Sequence, residues 1–128
     1  MTKSLLVVDD SLIIRELIKE AAQAAGWTIV GEGADGQEAV ALFDRLQPAA
    51  MTLDLIMPLY DGLQALRSIR ERHPQARVLV VSALEQKTIL RQALQLGAAD
   101  FIVKPFAAER LAGALEKLHA AALVCGPR

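Results

Sequence analysis

Three acidic positions and one lysine are the residues whose types and spacing could do chemistry: Asp9-Asp10, Asp54 and Lys104. Each stands where a short apolar run stops. Ser4-Leu5-Leu6-Val7-Val8 runs into Asp9-Asp10, Ala50-Met51-Thr52-Leu53 into Asp54, and Phe101-Ile102-Val103 into Lys104-Pro105. Buried parallel strands read as near-continuous apolar runs, and ligands of open α/β sheets bind in the crevice at the carboxyl ends of the strands. The pattern therefore gathers several carboxylates and one ammonium at one edge of one sheet. Two carboxylates about 5 Å apart repel by roughly 3 kcal/mol at an effective dielectric of ~20. Such a cluster takes up protons or binds a cation. Oxygen ligands left partly open to solvent suit magnesium, which keeps several waters and bridges carboxylate to phosphate. Lys104 is a compact charge for a carboxylate or a phosphoryl oxygen. Ser82 ends another apolar run, Val78–Val81, and its hydroxyl is expected at the same crevice. A metal, an ammonium, a hydroxyl and a nucleophilic carboxylate make a phosphoryl site. Taken singly, an acid after a strand is most often a helix cap or turn former, and a lysine there is usually just exposed. The joint placement at four strand ends argues for the site.

The elements that must hold these residues alternate along the chain. A strand at Ser4–Val8 precedes a helix from about Ser11 to Ala25, with Leu12, Ile13, Leu17 and Ile18 on a helical period and Gly26 at its end. Thr28–Val30 reads as a second strand. Asp35 and Glu38 form a capping pair for a helix that ends before Pro48. Ala50–Leu53 is the third strand, and Asp61 with Gln64 caps a helix ending near His73-Pro74. Val78–Val81, a helix from about Glu85 to Leu96, Phe101–Val103, and a helix from about Ala107 to Leu123 complete five β-α units. That order implies α/β architecture, a parallel sheet with helices on both faces.

Bulk properties narrow the function. The 128 residues fit one domain, 1–128, with its core over about 3–120, and 53% are hydrophobic, which excludes disorder. A net charge of −1, from 14 basic and 15 acidic residues, leaves no electrostatic footprint for nucleic acid or anionic membrane. Cys125 is the single cysteine, so no internal disulfide forms and the residue reads as a free thiol. Neither a secretory leader nor a ~20-residue apolar span is present, so the expected compartment is the cytoplasm. His73 and His119 fall in solvated helical contexts and are not expected to be ligands.

Val7-Val8-Asp9-Asp10-Ser11, Leu53-Asp54-Leu55-Ile56-Met57-Pro58, Asp61-Gly62, Val81-Ser82-Ala83, Gly97-Ala98 and Phe101-Ile102-Val103-Lys104-Pro105-Phe106 agree in order and spacing with one family. Over about Lys3 to Leu118 the chain resembles a response-regulator receiver domain of two-component signalling, the CheY-like family. The resemblance implies a doubly wound, flavodoxin-like (βα)5 fold with strand order 2-1-3-4-5. It implies Asp54 as the phosphorylation site, taking its phosphoryl group from a histidine kinase or a phosphotransfer protein. Magnesium would be bound by Asp9, Asp10, Asp54 and the backbone carbonyl of Ile56. Lys104 and Ser82 would contact the phosphoryl oxygens, and Ser82 with Phe101 would form the switch. The Lys104-Pro105 bond is expected to be cis, against a bare prior of ~5% for any X-Pro bond.

The resemblance further implies a switch rather than a turnover enzyme, catalysing only its own phosphoryl transfer and dephosphorylation. Its output would be the surface of the fourth helix, fifth strand and fifth helix, binding a target protein. With no second domain expected, the similarity extends to stand-alone chemotaxis regulators that bind the flagellar motor switch. The alternative is a phosphorelay intermediate passing phosphate to another histidine domain. The expected state is a monomer or a weak phosphorylation-dependent dimer. Two positions near the site depart from the family habit by being apolar: Ile56 and Leu84 stand where polar residues often guide the hydrolytic water, which is expected to lengthen the phosphorylated state. Tyr60 replaces a commoner methionine. Gly31-Glu32-Gly33-Ala34-Asp35-Gly36 spells G-x-G-x-x-G, and Asp54 follows about 20 residues on, as a dinucleotide fingerprint asks. That fingerprint belongs in the first β-α turn of its unit, and it would leave Asp9, Asp10, Ser82 and Lys104 unexplained, so it remains a remote alternative.

Overall fold

The structure is a computed structural model that describes residues 3–57, 61–83 and 87–125. The elements alternate as β1 (Ser4–Val8), α1 (Leu12–Ala24), β2 (Thr28–Gly33), α2 (Gly36–Leu46), β3 (Ala50–Leu53), α3 (Gly62–Arg72), β4 (Val78–Ala83), α4 (Lys87–Gln95), β5 (Asp100–Lys104) and α5 (Ala108–Cys125). The five strands form one sheet in the order β2-β1-β3-β4-β5, and every neighbouring pair is parallel. The expected fold class and strand order hold.

Alternation along each strand splits the core into two layers. Leu5, Val7, Ala50, Leu79, Val81 and Ile102 face α1 and α5, where Ile18, Ala22, Leu111 and Leu115 meet them. Leu6, Val8, Met51, Leu53, Val78 and Val80 face α2, α3 and α4, against Phe43, Leu66, Ile69 and Leu90. Each fully buried Leu or Ile contributes about 1.5–3 kcal/mol. With both faces covered, the central strands β1, β3 and β4 are buried almost throughout. Their unbroken apolar runs are the direct result. Among the described residues, no helix is long and apolar enough to cross a membrane.

The edge strand differs from the sequence expectation. β2 runs to Gly33, three residues past Val30, and only Gly33 in it is buried. Its pairing with β1 slips between Leu5 and Leu6, which partner Ile29 and Gly31. An edge strand with one covered side carries no apolar run, so its tail left no signal. The same geometry accounts for the glycine motif. A Cβ on Gly31 would lie 2.8 Å from Leu46 Cδ1, so the glycine admits α2 against the strand. Asp35 Oδ1 accepts the Glu38 N–H at 2.9 Å, and Glu38 Oε1 accepts the Ala34 N–H at 2.6 Å. Two carboxylates already cap this helix start, so it offers a pyrophosphate an unfavourable charge.

α4 begins at Lys87; Glu85, where its start was expected, lies outside the described residues, as do Pro58, Tyr60 and Leu84. β4 and β5 are longer than expected and include Ser82 and Lys104. The expectation of solvated histidines is corrected for His73. It is half-buried at the end of α3, its Nε2 lies 2.7 Å from Asp44 Oδ1, and its ring lies 5.1 Å from that of Phe43. His119 stands edge-on to Trp27 at 5.9 Å.

Candidate functional site

Strand alternation carries three of the chemical residues to one face. Asp9, Asp54 and Lys104 continue the sequence of side chains that line the α1/α5 layer: Leu5 and Val7, Ala50 and Thr52, Ile102. Two backbone bonds extend the ladder past the strands and fix the acids. The Asp9 N–H donates to the Gly33 carbonyl at 3.1 Å, and the Asp54 N–H to the Val8 carbonyl at 3.0 Å. β1 and β3 are the neighbours between which the chain's direction across the sheet reverses. The acids therefore sit at the switch-point crevice of a doubly wound sheet.

Asp9, Asp10 and Asp54 each place a carboxylate oxygen within 4.8 Å of the others. Asp9 and Asp54 are buried and Asp10 is exposed. Asp9 is fully engaged: its Oδ1 accepts the Ser11 N–H at 2.9 Å and its Oδ2 holds Lys104 Nζ at 2.8 Å. Ser11 in turn caps α1, accepting the Ile14 N–H at 3.3 Å. Lys104 Nζ also lies 3.5 Å from Asp54 Oδ2. The Ile56 N–H reaches Asp54 Oδ1 at 3.3 Å, in an Asx-type turn.

Burial pushes the Asp54 carboxyl up to about 6, and the charges of Asp9 and Asp10 add to it; Lys104 and the Ile56 N–H only partly oppose them. Burial works to lower the Lys104 pKa, but the Asp9 hydrogen bond and the Asp54 charge outweigh it, and the ammonium is held above its ordinary value. The cluster is short of positive charge, and the shortage concentrates on Asp54. The donor set fits a hard divalent cation: three carboxylates converge, and one is open to solvent.

Ser82 lies on the other face, in line with Val78 and Val80. It is fully buried and its Oγ has no hydrogen-bond partner among the described residues. An unmade bond on a buried hydroxyl carries a penalty of about 1–3 kcal/mol. Phe101 is half-buried on the same layer, and its backbone pairs with Val80. Ile56 is exposed. The Lys104-Pro105 bond is cis, as expected.

Gly62 has a strict steric role at the site. A Cβ there would stand 2.4 Å from both the Asp54 carbonyl oxygen and Leu55 Cα. The start of α3 thus lies directly on the backbone that carries Asp54, and the Gly62 N–H donates to the Leu55 carbonyl at 3.0 Å. Two contacts escaped sequence reasoning. Arg15 Nη1 donates to the Asp9 carbonyl at 2.6 Å, and Arg15 Nε to Glu32 Oε1 at 3.1 Å. The available signal was positional: Arg15 follows Ser11 by one helical turn. Glu32, however, reaches it only through the shifted β1–β2 register, in which Val7 partners Glu32.

Comparison with known proteins agrees with this geometry. The chain is 43% identical over 113 residues to the chemotaxis protein CheY of Listeria monocytogenes, covering 88% of this chain and 95% of that one. The receiver domain of AraT from Geobacillus stearothermophilus superposes with a TM-score of 0.87 at 30% identity, over 94% of this chain and 95% of the other. A CheY from Borrelia burgdorferi, solved in complex with CheX, BeF3 and Mg2+, has a TM-score of 0.81 at 31% identity, over 97% and 90%. Residues 5–116 match the response regulator receiver domain profile. With the doubly wound sheet and the acids gathered at its switch point, the chain belongs to the receiver-domain family of two-component response regulators.

Proposed function

We propose that the protein is a phospho-receiver switch in which Asp54 accepts a phosphoryl group from a phosphohistidine on a histidine kinase or phosphotransfer protein. The observation that carries this reading is the convergence of Asp9, Asp10 and Asp54 within 4.8 Å beside the Lys104 ammonium. Asp9, Asp10, Asp54 and the Ile56 carbonyl would hold magnesium. The bound ion would offset phosphoryl charge and the repulsion among the acids.

An Asp54 carboxylate oxygen attacks phosphorus. The new O–P bond forms as the N–P bond breaks, and the electron pair stays on the imidazole nitrogen, which is protonated from water. The product carries about −1.5 to −2 charges and three strong acceptor oxygens. Lys104, already between Asp9 and Asp54, contacts one acceptor. Ser82, buried without a partner among the described residues, gains a bond by donating to another. Its movement leaves room for Phe101 on the same layer and biases the surface of α4, β5 and α5. The protein acts as a signalling switch and performs only its own phosphoryl transfer and dephosphorylation, in the cytoplasm.

Chemotaxis is the pathway best supported, because the relatives that align over nearly their whole length include several chemotaxis CheY proteins. The target is then a flagellar motor switch protein. Incubation with Mg2+ and acetyl phosphate is expected to raise the intact mass by one phosphoryl group, ~80 Da. Asp54→Asn, or chelation of the metal, is expected to prevent it. An unmodified wild-type chain contradicts the reading. Equal affinity for a motor switch protein with and without beryllofluoride contradicts the chemotaxis assignment alone.

A further inference from the structure

The Arg15–Glu32 pair lies outside the acid cluster yet touches its backbone. Arg15 Nη1 donates to the Asp9 carbonyl at 2.6 Å while its Nε binds Glu32 Oε1 at 3.1 Å. Lys19 Nζ takes the other Glu32 oxygen at 2.7 Å and also pairs with Glu16 at 2.8 Å. The Lys19 hydrogen bond, joined by that of Arg15 and opposed by slight burial, holds the Glu32 carboxyl below its ordinary range. On the other side of Asp9, its N–H is tied to the Gly33 carbonyl. The Asp9 carbonyl belongs to the peptide that leads directly into Asp10. Asp10 is the exposed member of the trio, and its backbone is the part of the site that the sheet does not secure.

We propose that Arg15, buttressed by Glu32, is a positioning residue for the metal site. It fixes the Asp9–Asp10 peptide so that the Asp10 carboxylate is presented to the cation together with Asp9 and Asp54. This rests on the metal-binding reading of the acid cluster, and it adds the device that preorganises it. The clamp gives a prediction opposite in sign to simple electrostatics. Removing a guanidinium near a cation site lowers repulsion and should tighten Mg2+ binding. Losing a clamp should weaken it.

The test is Mg2+ affinity by titration calorimetry on the unphosphorylated chain. Arg15→Met is expected to weaken binding about tenfold, in line with substitutions behind metal ligands. Arg15→Lys keeps the charge but cannot span both partners, and should fall between Arg15→Met and wild type. Glu32→Gln and Glu16→Gln each remove one negative charge. The clamp requires Glu32→Gln to weaken binding and Glu16→Gln to leave it unchanged. Arg15→Met binding as tightly as wild type or tighter overturns the proposal, as does an equal effect of Glu16→Gln and Glu32→Gln. Should Arg15→Met fail to fold, the two glutamate variants decide by the same criterion. A wild-type chain that binds no Mg2+ defeats the metal reading and the clamp together, whereas normal wild-type binding with unaffected Arg15 variants defeats the clamp alone.

Discussion

Lys104 Nζ lies 2.8 Å from Asp9 Oδ2 and 3.5 Å from Asp54 Oδ2. The ammonium is thus bound more closely to the supporting acid than to the proposed acceptor. Burial and the Asp9 charge push the Asp54 carboxyl up to about 6, and Lys104, at the longer distance, only partly offsets them. The closer contact makes Lys104 a structural element before any phosphate arrives. Lys104→Met removes the cation and leaves Asp9, fully buried, without it. Breaking a buried pair in this way should destabilise the metal-free protein by about 3 kcal/mol at pH 7.5, read from urea unfolding. A loss below about 0.5 kcal/mol, the range of ordinary surface substitutions, contradicts this role.

Asp54 should make the metal-free fold less stable at neutral pH. Its carboxyl titrates at about 6 in the fold against an ordinary 3.8, chiefly through burial. The folded state therefore binds its proton more tightly than the unfolded chain. That contribution to stability is complete below the unfolded value and is lost as pH rises through about 6. Asp54→Asn cannot ionise, so in chelator it should exceed wild type at pH 7.5 by about 1–2 kcal/mol, discounted for the site's opening to solvent. The advantage should shrink as pH falls from 7 to 4. A stability difference that does not change with pH contradicts the assignment.

Gly62 should resist even one added carbon. The Cβ of Gly62→Ala would meet Asp54 and Leu55 backbone atoms at 2.4 Å, and backbone cannot rotate away as a side chain can. A destabilisation of about 2–3 kcal/mol is expected, together with slower phosphorylation, since the displaced backbone carries Asp54. Wild-type stability and rate would show that α3 does not brace the acceptor.

Ser82→Ala should separate stability from switching. The Oγ is buried without a partner among the described residues, so its removal should leave stability unchanged or raise it by up to about 1 kcal/mol. The same variant should lose most of the phosphorylation-dependent change at the α4–β5–α5 surface, measured as target affinity with and without beryllofluoride. A variant that is destabilised yet still switches contradicts this account.

Sequence legibility followed burial. Ala50–Leu53 was bounded correctly and Val78–Ala83 nearly so because helices cover both faces of those strands. The end of β2 was missed because an edge strand pairs on one side and exposes alternate residues. The caps at Asp35 and Asp61 were legible because capping is local chemistry. Asp9, Asp54 and Lys104 were found because each interrupts an apolar run. Arg15 and Glu32 were not, because they meet across 17 residues through strand register. His73 looked solvated because its partner Asp44 comes from another helix.

The central claim is that Asp54 is the carboxylate that takes the phosphoryl group. Borohydride reduces an acyl phosphate to an alcohol, so trapping the phosphorylated protein should convert the modified aspartate to homoserine. Peptide mass spectrometry after treatment with Mg2+, acetyl phosphate and borohydride should find homoserine at position 54, and not when the metal is chelated. Homoserine at position 9 or 10, or none at position 54, would contradict the account.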